Sequence, residues 1–292
     1  MSFAIVTDTS ANIPTPLAQE HQICVIPLSY IIDGEQRECT NTETFDSDSY
    51  YDAMKAGVKI TTSQINPQKD VDAMEGILQQ GQDVLFVGMS AGISGTFHSA
   101  QIAKDMLLET YPERKICLVD SMGASLGEGV LVLKAIEYRQ QGKTLEETEQ
   151  LLNEERWHIA QIFTVADLNH LRRGGRLSNA AAIVGTLLGI KPVLKGNEEG
   201  KIVSTEKVRG RKAVINRLAQ KYEQLVEHPE NQTVCISHCS CPEDAKMLET
   251  LIREKGEPKE ILIVSHEPVT GSYLGPGALA LYFEGGRDIR TK

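Results

Sequence analysis

A chain of 292 residues is long enough to hold two domains, each with its own core. Its formal charge of −10 excludes a general nucleic-acid binder, which needs a dominant basic surface. No apolar run approaches the roughly 18 residues that a membrane span requires, and Met1-Ser2-Phe3-Ala4 leads into an apolar stretch without a charged leader, so a cytoplasmic protein is expected.

In chain order, residues 3–6 predict a strand that stops at the polar turn Thr7-Asp8-Thr9-Ser10-Ala11-Asn12, followed by a short helix. Residues 23–28, broken at Pro27, and 30–32 read as extended and lead into the Asp33-Gly34 turn. A helix is expected over 45–56, capped by Asp46 or Ser47. Thr61, Thr62 and Ser63 cluster in the stretch before Pro67, where Asn66 and the proline favour an extended or turn backbone.

A helix over 67–80, a strand over 84–89, a helix over 95–110, a strand over 116–120 and a helix over 125–141 complete a run of βαβ units. Such alternation predicts a parallel sheet sandwiched by helices. The two later strands also end in small polar residues, at Ser90-Ala91-Gly92 with Ser94-Gly95-Thr96, and at Asp120-Ser121-Met122-Gly123. The carboxyl ends of parallel strands share one edge, so three hydroxyl-rich turns are expected to line one crevice. A helix that starts from such a turn aims backbone N–H groups and its positive dipole end at one place, which suits an anion.

The acidic segment 145–155 predicts a solvated connecting helix, and the domain boundary is placed behind it, giving domains over 1–156 and 157–292. Within the second domain, strands are expected over 159–165, 233–237 and 260–265, with a helix over 243–255. Arg172, Arg173, Arg176, Lys191 and Lys195 precede a second basic group of Lys207, Arg209, Arg211, Lys212 and Arg217. This concentration in an acidic chain reads as a solvated face or as a docking surface for phosphate, anionic membrane or an acidic partner. The apolar run 180–188 reads as core or as the wall of a lipid-sized cavity, and Gly275-Pro276-Gly277 forces a tight loop.

Six cysteines are too sparse for a disulfide scaffold, so free thiols are expected. Cys235, His238, Cys239 and Cys241 have a metal-like spacing. However, strand alternation splits them across two faces, and no second pair follows to complete four ligands, so no metal is assigned.

Six of these motifs, taken in order, resemble the DegV family of bacterial fatty-acid-binding proteins: Thr7-Asp8-Thr9-Ser10-Ala11-Asn12, Thr62-Ser63-Gln64, Ser94-Gly95-Thr96, Asp120-Ser121-Met122-Gly123, Arg173-Gly174-Gly175-Arg176-Leu177-Ser178 and Gly275-Pro276-Gly277-Ala278. The resemblance spans almost the whole chain. It implies two α/β domains, the second with a mixed sheet, holding a long-chain fatty acid between them. It further implies a carrier without catalysis of its own and without a cofactor. Such a carrier presents the carboxylate to a fatty acid kinase and holds the acyl phosphate for phospholipid synthesis, with transient contact to a membrane surface.

By position, the resemblance places the carboxylate on the hydroxyls of Thr62 and Ser94, with Thr61, Ser63 and the Gly95 amide nearby. Ser121 and Gly275 become pocket candidates, and Arg173 and Arg176 candidates for contact with the kinase. Tyr273 stands where the family often has histidine; its hydroxyl can still donate a hydrogen bond but cannot become a cation near neutral pH.

The rival reading is a serine-dependent acyl ester hydrolase in which Ser94 and His98 share a helical face. Against it, two side chains on one helix lie alongside each other and do not converge on a substrate. Asp8 and Asp120 lack the second carboxylate and P-loop of a phosphoryl-transfer enzyme, and their expected role is to brace the crevice turns by accepting backbone N–H bonds.

Overall fold

The computed structural model describes residues 3–179 and 189–291. Packing divides the chain into two compact units, Met1–Phe45 with Thr61–Arg156, and Asp46–Ile60 with Trp157–Lys292. Residues 46–60 thus lie with the second unit, away from the neighbours that a single cut after residue 156 gives them. The apolar run 180–188 falls outside the described residues, and so does its reading as core or cavity wall.

The first unit opens with β1 (Ala4–Asp8), a single 3-10 turn, α1 (Thr15–Glu20) and β2 (Cys24–Ile26). A hairpin follows, β3 (Ser29–Ile32) and β4 (Glu35–Glu38), with both turn residues at positive φ, Asp33 at 53° and Gly34 at 81°. Asp-Gly adopts that two-residue turn more readily than almost any other pair. The chain then passes through α2 (Ser47–Lys55), which belongs to the second unit and is capped by the Asp46 carboxylate on the Ser49 N–H, before β5 (Ile60–Ser63) joins the hairpin in a three-stranded sheet.

The remaining elements of the first unit are α3 (Pro67–Gln79), β6 (Val84–Gly88), α4 (Thr96–Thr110), β7 (Ile116–Asp120), α5 (Leu126–Gln140) and α6 (Leu145–Glu155). The four-stranded sheet runs β2-β1-β6-β7 with every pair parallel. β6 is buried along its full length, as the apolar sequence of a strand covered on both faces requires. One expectation is corrected: α6 is no solvated connector, because it packs against β7 and α5 and buries Leu145, Thr148 and Leu152. Exposed Glu146, Glu147 and Glu154 dominate its sequence and hid a narrow apolar stripe.

The second unit is built on a mixed six-stranded sheet. Its elements are β8 (Ile159–Thr164), α7 (Asn169–Gly174), β9 (Ile190–Gly196), β10 (Ile202–Arg209), α8 (Arg211–Leu225), β11 (Thr233–His238), α9 (Pro242–Lys255), β12 (Glu260–Ser265), α10 (Pro268–Leu274) and β13 (Leu279–Glu284). The order is β10-β9-β8-β13-β11-β12, antiparallel throughout except for β11 with β12. Leu218 and Tyr222 of α8 and Leu248 and Ile252 of α9 close over Ile236, Leu281 and Phe283. Tyr222 meets Phe283 edge to face with centroids 5.1 Å apart, a favoured aromatic geometry. No helix among the described residues is long and apolar enough to cross a membrane.

Candidate functional site

In the parallel sheet the chain leaves β1 for β2 on one side and returns to β6 on the other. The strand order therefore reverses between β1 and β6, and ligands of such sheets sit outside the strand ends at that reversal. The polar turns of the sequence converge there. Asp8, at the end of β1, accepts the Ser10 N–H at 2.7 Å and, across the reversal, the Met89 N–H at 3.4 Å. Asp120, at the end of β7, accepts the Met122 N–H at 2.8 Å and the Ala91 N–H at 3.3 Å. Both carboxylates brace turns, as the sequence led us to expect. Burial nevertheless pushes the Asp8 carboxyl above the ordinary range.

Beneath this floor, buried Glu128 of α5 accepts the Thr7 hydroxyl at 3.0 Å and the Ser10 hydroxyl at 2.5 Å. Ser121, a pocket candidate, is fully buried, donates to the Gly123 carbonyl and accepts the Gly123 N–H at 3.1 Å. It stabilises its own turn and presents no surface to a ligand. The turn is strained: Met122 has φ 54°, and Ser125 combines φ 53° with ψ −144°, a region that glycine alone enters freely.

The outer rim carries the hydroxyls. Ser94 donates to Thr96 Oγ1 at 3.1 Å and accepts the Thr96 N–H at 3.2 Å, while the Ile65 N–H donates to the same Thr96 hydroxyl at 3.4 Å. The end of β5 is thereby tied to the turn that starts α4. Gln64, exposed, lies directly over Gly95, so closely that a methyl group added to Gly95 would overlap its amide oxygen. Gly95 stands at the N-cap of the 15-residue α4, where first-turn N–H groups and the helix dipole favour an anion.

On β5, Thr62 is half-buried whereas Thr61 and Ser63 are exposed. Strand alternation puts Thr61 and Ser63 on one face and Thr62 on the other, so the three hydroxyls do not converge. The hydrolase pairing also fails. Ser94 is bonded to Thr96, and exposed His98 pairs its Nδ1 with Gln101 Oε1 at 3.2 Å, so each makes its hydrogen bond elsewhere.

The other candidates assemble in the second unit. The Arg176 guanidinium lies 4.6 Å above the Tyr273 ring, a cation–π arrangement, and the same ring packs against Gly174 so tightly that a methyl group there would overlap it. Gly275, with φ 78°, packs against the ring of His170. Exposed Arg173 approaches His170 Nδ1 at 3.4 Å, and burial, then the Arg173 charge, hold that imidazole below its ordinary pKa. Sequence reasoning brought together the Arg-Gly-Gly-Arg and Gly-Pro-Gly motifs but missed His170 and the covering role of Gln64, because neither contact is local in sequence.

Of the basic segment, Arg211 pairs with Asp244 at 2.8 Å and Arg217 grips Glu206 with two nitrogens at 2.6 and 2.9 Å, so two of its cations are neutralised within the unit. Among the cysteines and histidine of metal-like spacing, Cys235 and Cys239 are fully buried and the His238 ring nitrogen accepts the Cys241 N–H at 3.4 Å. Among the described residues no group of three potential ligands gathers to hold a metal ion.

The family model described as "Uncharacterised protein, DegV family" matches residues 2–285. A DegV domain-containing protein of Clostridium perfringens is 37% identical over 283 residues, 97% of each chain. Among solved structures, a fatty-acid-binding DegV family protein of Streptococcus agalactiae is 33% identical with a TM-score of 0.85, covering 98% of this chain and 99% of its own. DegV of Bacillus subtilis, a fatty-acid-binding protein, is 32% identical with a TM-score of 0.85 over 98% of this chain and 100% of its own. With the match running through both units, this chain belongs to the DegV family.

Proposed function

We propose that the protein binds a long-chain fatty acid, with the carboxylate at the Thr62, Ser94 and Gly95 rim beside the N-terminus of α4. The observation that carries this reading is the likeness, along 98% of the chain and above 30% identity, to two solved proteins that bind fatty acids. The chemistry of the rim supports it: uncharged donors at a helix N-terminus orient a carboxylate without holding it as a buried arginine would. Affinity comes from the tail. About fifteen methylenes at ~0.8 kcal/mol each supply up to roughly 12 kcal/mol before association costs.

In this proposal the protein is a non-catalytic cytoplasmic carrier that delivers the carboxylate to a fatty acid kinase for conversion to acyl phosphate, feeding phospholipid synthesis. Arg173, exposed, and Arg176, stacked on Tyr273, form the face offered to the kinase.

Native mass spectrometry of freshly purified protein is the first test, and the expected result is a co-purifying lipid with the mass of a long-chain fatty acid. After delipidation, Thr62→Ala combined with Ser94→Ala should weaken rebinding at least tenfold, since each hydrogen bond to a charged group is worth ~1.5 to 3 kcal/mol. Failure of the delipidated protein to bind any long-chain fatty acid, saturated or unsaturated, would end the proposal. Reversing Arg173 and Arg176 to Glu should slow kinase-dependent phosphorylation and leave lipid binding unchanged; loss of lipid binding instead would assign both arginines to the ligand pocket.

A further inference from the structure

Gln64, in the first unit, has an arrangement that packing does not require. It directly follows β5, and the backbone beyond it is anchored: buried Ile65 donates its N–H to Thr96 Oγ1 at 3.4 Å, and the Asn66 side chain accepts the Lys69 N–H at 3.0 Å to cap α3. Gln64 itself is exposed, yet its terminal amide is folded back over Gly95, with Oε1 nearest and Nε2 3.2 Å from the point that a Cβ there would occupy. Among the described residues this amide makes no hydrogen bond.

An exposed glutamine keeps its rotamer freedom by extending into water, so resting it on a glycine costs entropy that no bond repays. Gly95, for its part, has φ −77°, a backbone that any residue adopts. A side chain there would take the space of the amide, so the glycine serves as a seat for Gln64. The seat lies at the N-cap of α4, whose first-turn N–H groups find no partner within the helix, and next to the Ser94 hydroxyl, which is bonded to Thr96. An amide held there carries donors and an acceptor that are all unused, and a half-turn of its end exchanges one for the other in the same volume.

Resting on the fatty-acid reading of this rim, we propose that Gln64 is a further head-group residue, which closes over the bound carboxylate and donates an Nε2–H to it. The hydroxyls of Thr62 and Ser94 can donate or accept and so suit an acid or an alcohol alike. A hydrogen bond to a charged acceptor is about twice as strong as one to a neutral acceptor, so the added N–H favours the acid over an alcohol of the same length. Gln64 thereby sets head-group specificity, while the tail sets affinity.

The test measures binding of a long-chain fatty acid, and of the alcohol of equal chain length, to the delipidated full chain at about pH 8, where the acid is ionised. The parent is compared with Gln64→Leu and Gln64→Glu. Gln64→Leu should bind the acid about tenfold more weakly, the loss of one hydrogen bond to a charged group. Gln64→Glu keeps the shape but sets a second negative charge at the head group, and should bind the acid more weakly still. Both variants should bind the alcohol within about twofold of the parent, and without ligand both should melt with it, since the side chain is exposed and unbonded. Acid affinity equal to the parent's in both variants, or acid and alcohol affinities that fall by the same factor, would overturn the role. A parent that takes up no fatty acid removes the reading of the rim together with this one, whereas a parent that binds while both variants match it removes Gln64 alone.

Discussion

Among the ionisable side chains that each unit buries almost completely, Asp70 in the first and His266 in the second are handled in opposite ways. His266 has both ring nitrogens engaged, Nδ1 at 2.9 Å from the Ser237 hydroxyl and Nε2 at 2.8 Å from that of Thr270, which in turn donates to Glu267. Glu267 also accepts the N–H groups of Val269 and Thr270, so the chain of bonds pins the start of α10, the helix that carries Tyr273. Both oxygens of Asp70 are buried without a hydrogen bond among the described residues. Burial drives the His266 pKa down to about 3 and, with the Asp8 charge close by, drives Asp70 up to about 7. Burial penalises charge in both units. The neutral imidazole, however, is a structural link, whereas the neutral carboxyl gains no hydrogen bond among the described residues in return.

The comparison is broken most severely by His266→Ala, which leaves the Ser237 and Thr270 hydroxyls short of a partner and opens a cavity; the expected cost is about 3 kcal/mol. The pH dependence follows from the sign of each shift. A histidine held below its ordinary value resists protonation in the fold. Its contribution is complete above about pH 6.5 and drains away as the pH falls towards about 3, at up to ~1.4 kcal/mol per pH unit. An acid held above its ordinary value binds its proton more tightly when folded, so stability is greatest below about pH 4, declines as the pH rises towards about 7, and is level beyond.

Asp70→Asn should therefore raise stability at pH 8 by about 2 kcal/mol and flatten the slope between pH 4 and 7. Trp157, the single tryptophan, lies in the second unit and reports it by fluorescence, while circular dichroism follows both. An acid limb of the Trp157 transition that persists in His266→Ala, or a stability of Asp70→Asn at pH 8 no higher than that of the parent, would refute this account.

Glycines sharpen the contrast at a smaller scale. Gly275 has φ 78° and faces the half-buried His170 ring, so Gly275→Ala combines backbone strain with a clash and should cost about 2 kcal/mol by urea unfolding. Gly95 has φ −77°, and the atom in the way belongs to the exposed, flexible Gln64 side chain. Gly95→Ala should cost less than about 0.5 kcal/mol in stability while crowding the proposed carboxylate rim, so its effect is read in fatty-acid affinity. Equal stability losses in the two variants would show that Gln64 is as fixed as His170.

The two units also differed in how readily they could be read from sequence. In the first, apolar runs coincide with the strands, the helix expected over 67–80 is α3, and Asp8 and Asp120 brace the turns expected of them. In the second, β9 and β10 were read only as a basic segment. On β10 the residues Thr205, Lys207 and Arg209 point to solvent, and their charge pattern outweighed the alternation that marks a half-buried strand. The membership of α2 in the second unit depends on Tyr50 and Tyr51, whose hydroxyls donate to the Pro268 and His266 carbonyls more than two hundred residues away. No local pattern announces such a contact. The hydroxyl-rich strand ends of the first unit were legible, but their burial was not: Ser121 is fully enclosed while Ser94 is not.

A last contrast lies between Gly275, a glycine where the backbone demands one, and Ser125, a serine in a conformation that favours glycine. Such a residue costs of order 1 to 3 kcal/mol and persists only where its surroundings hold it. Ser125 directly follows the Asp120–Gly123 turn and caps α5, the helix that brings Glu128 beneath Thr7 and Ser10. Ser125→Gly relieves the strain but loses the buried hydroxyl and adds unfolded-chain entropy, so the net gain in stability should be about 1 kcal/mol or less. If the strain serves to hold the crevice turn in place, the stabilised variant should bind fatty acid more weakly than the parent. A variant that is less stable than the parent would instead mean that the hydroxyl more than repays the backbone cost, and the turn would then count as stable structure with no strain left to serve ligand binding.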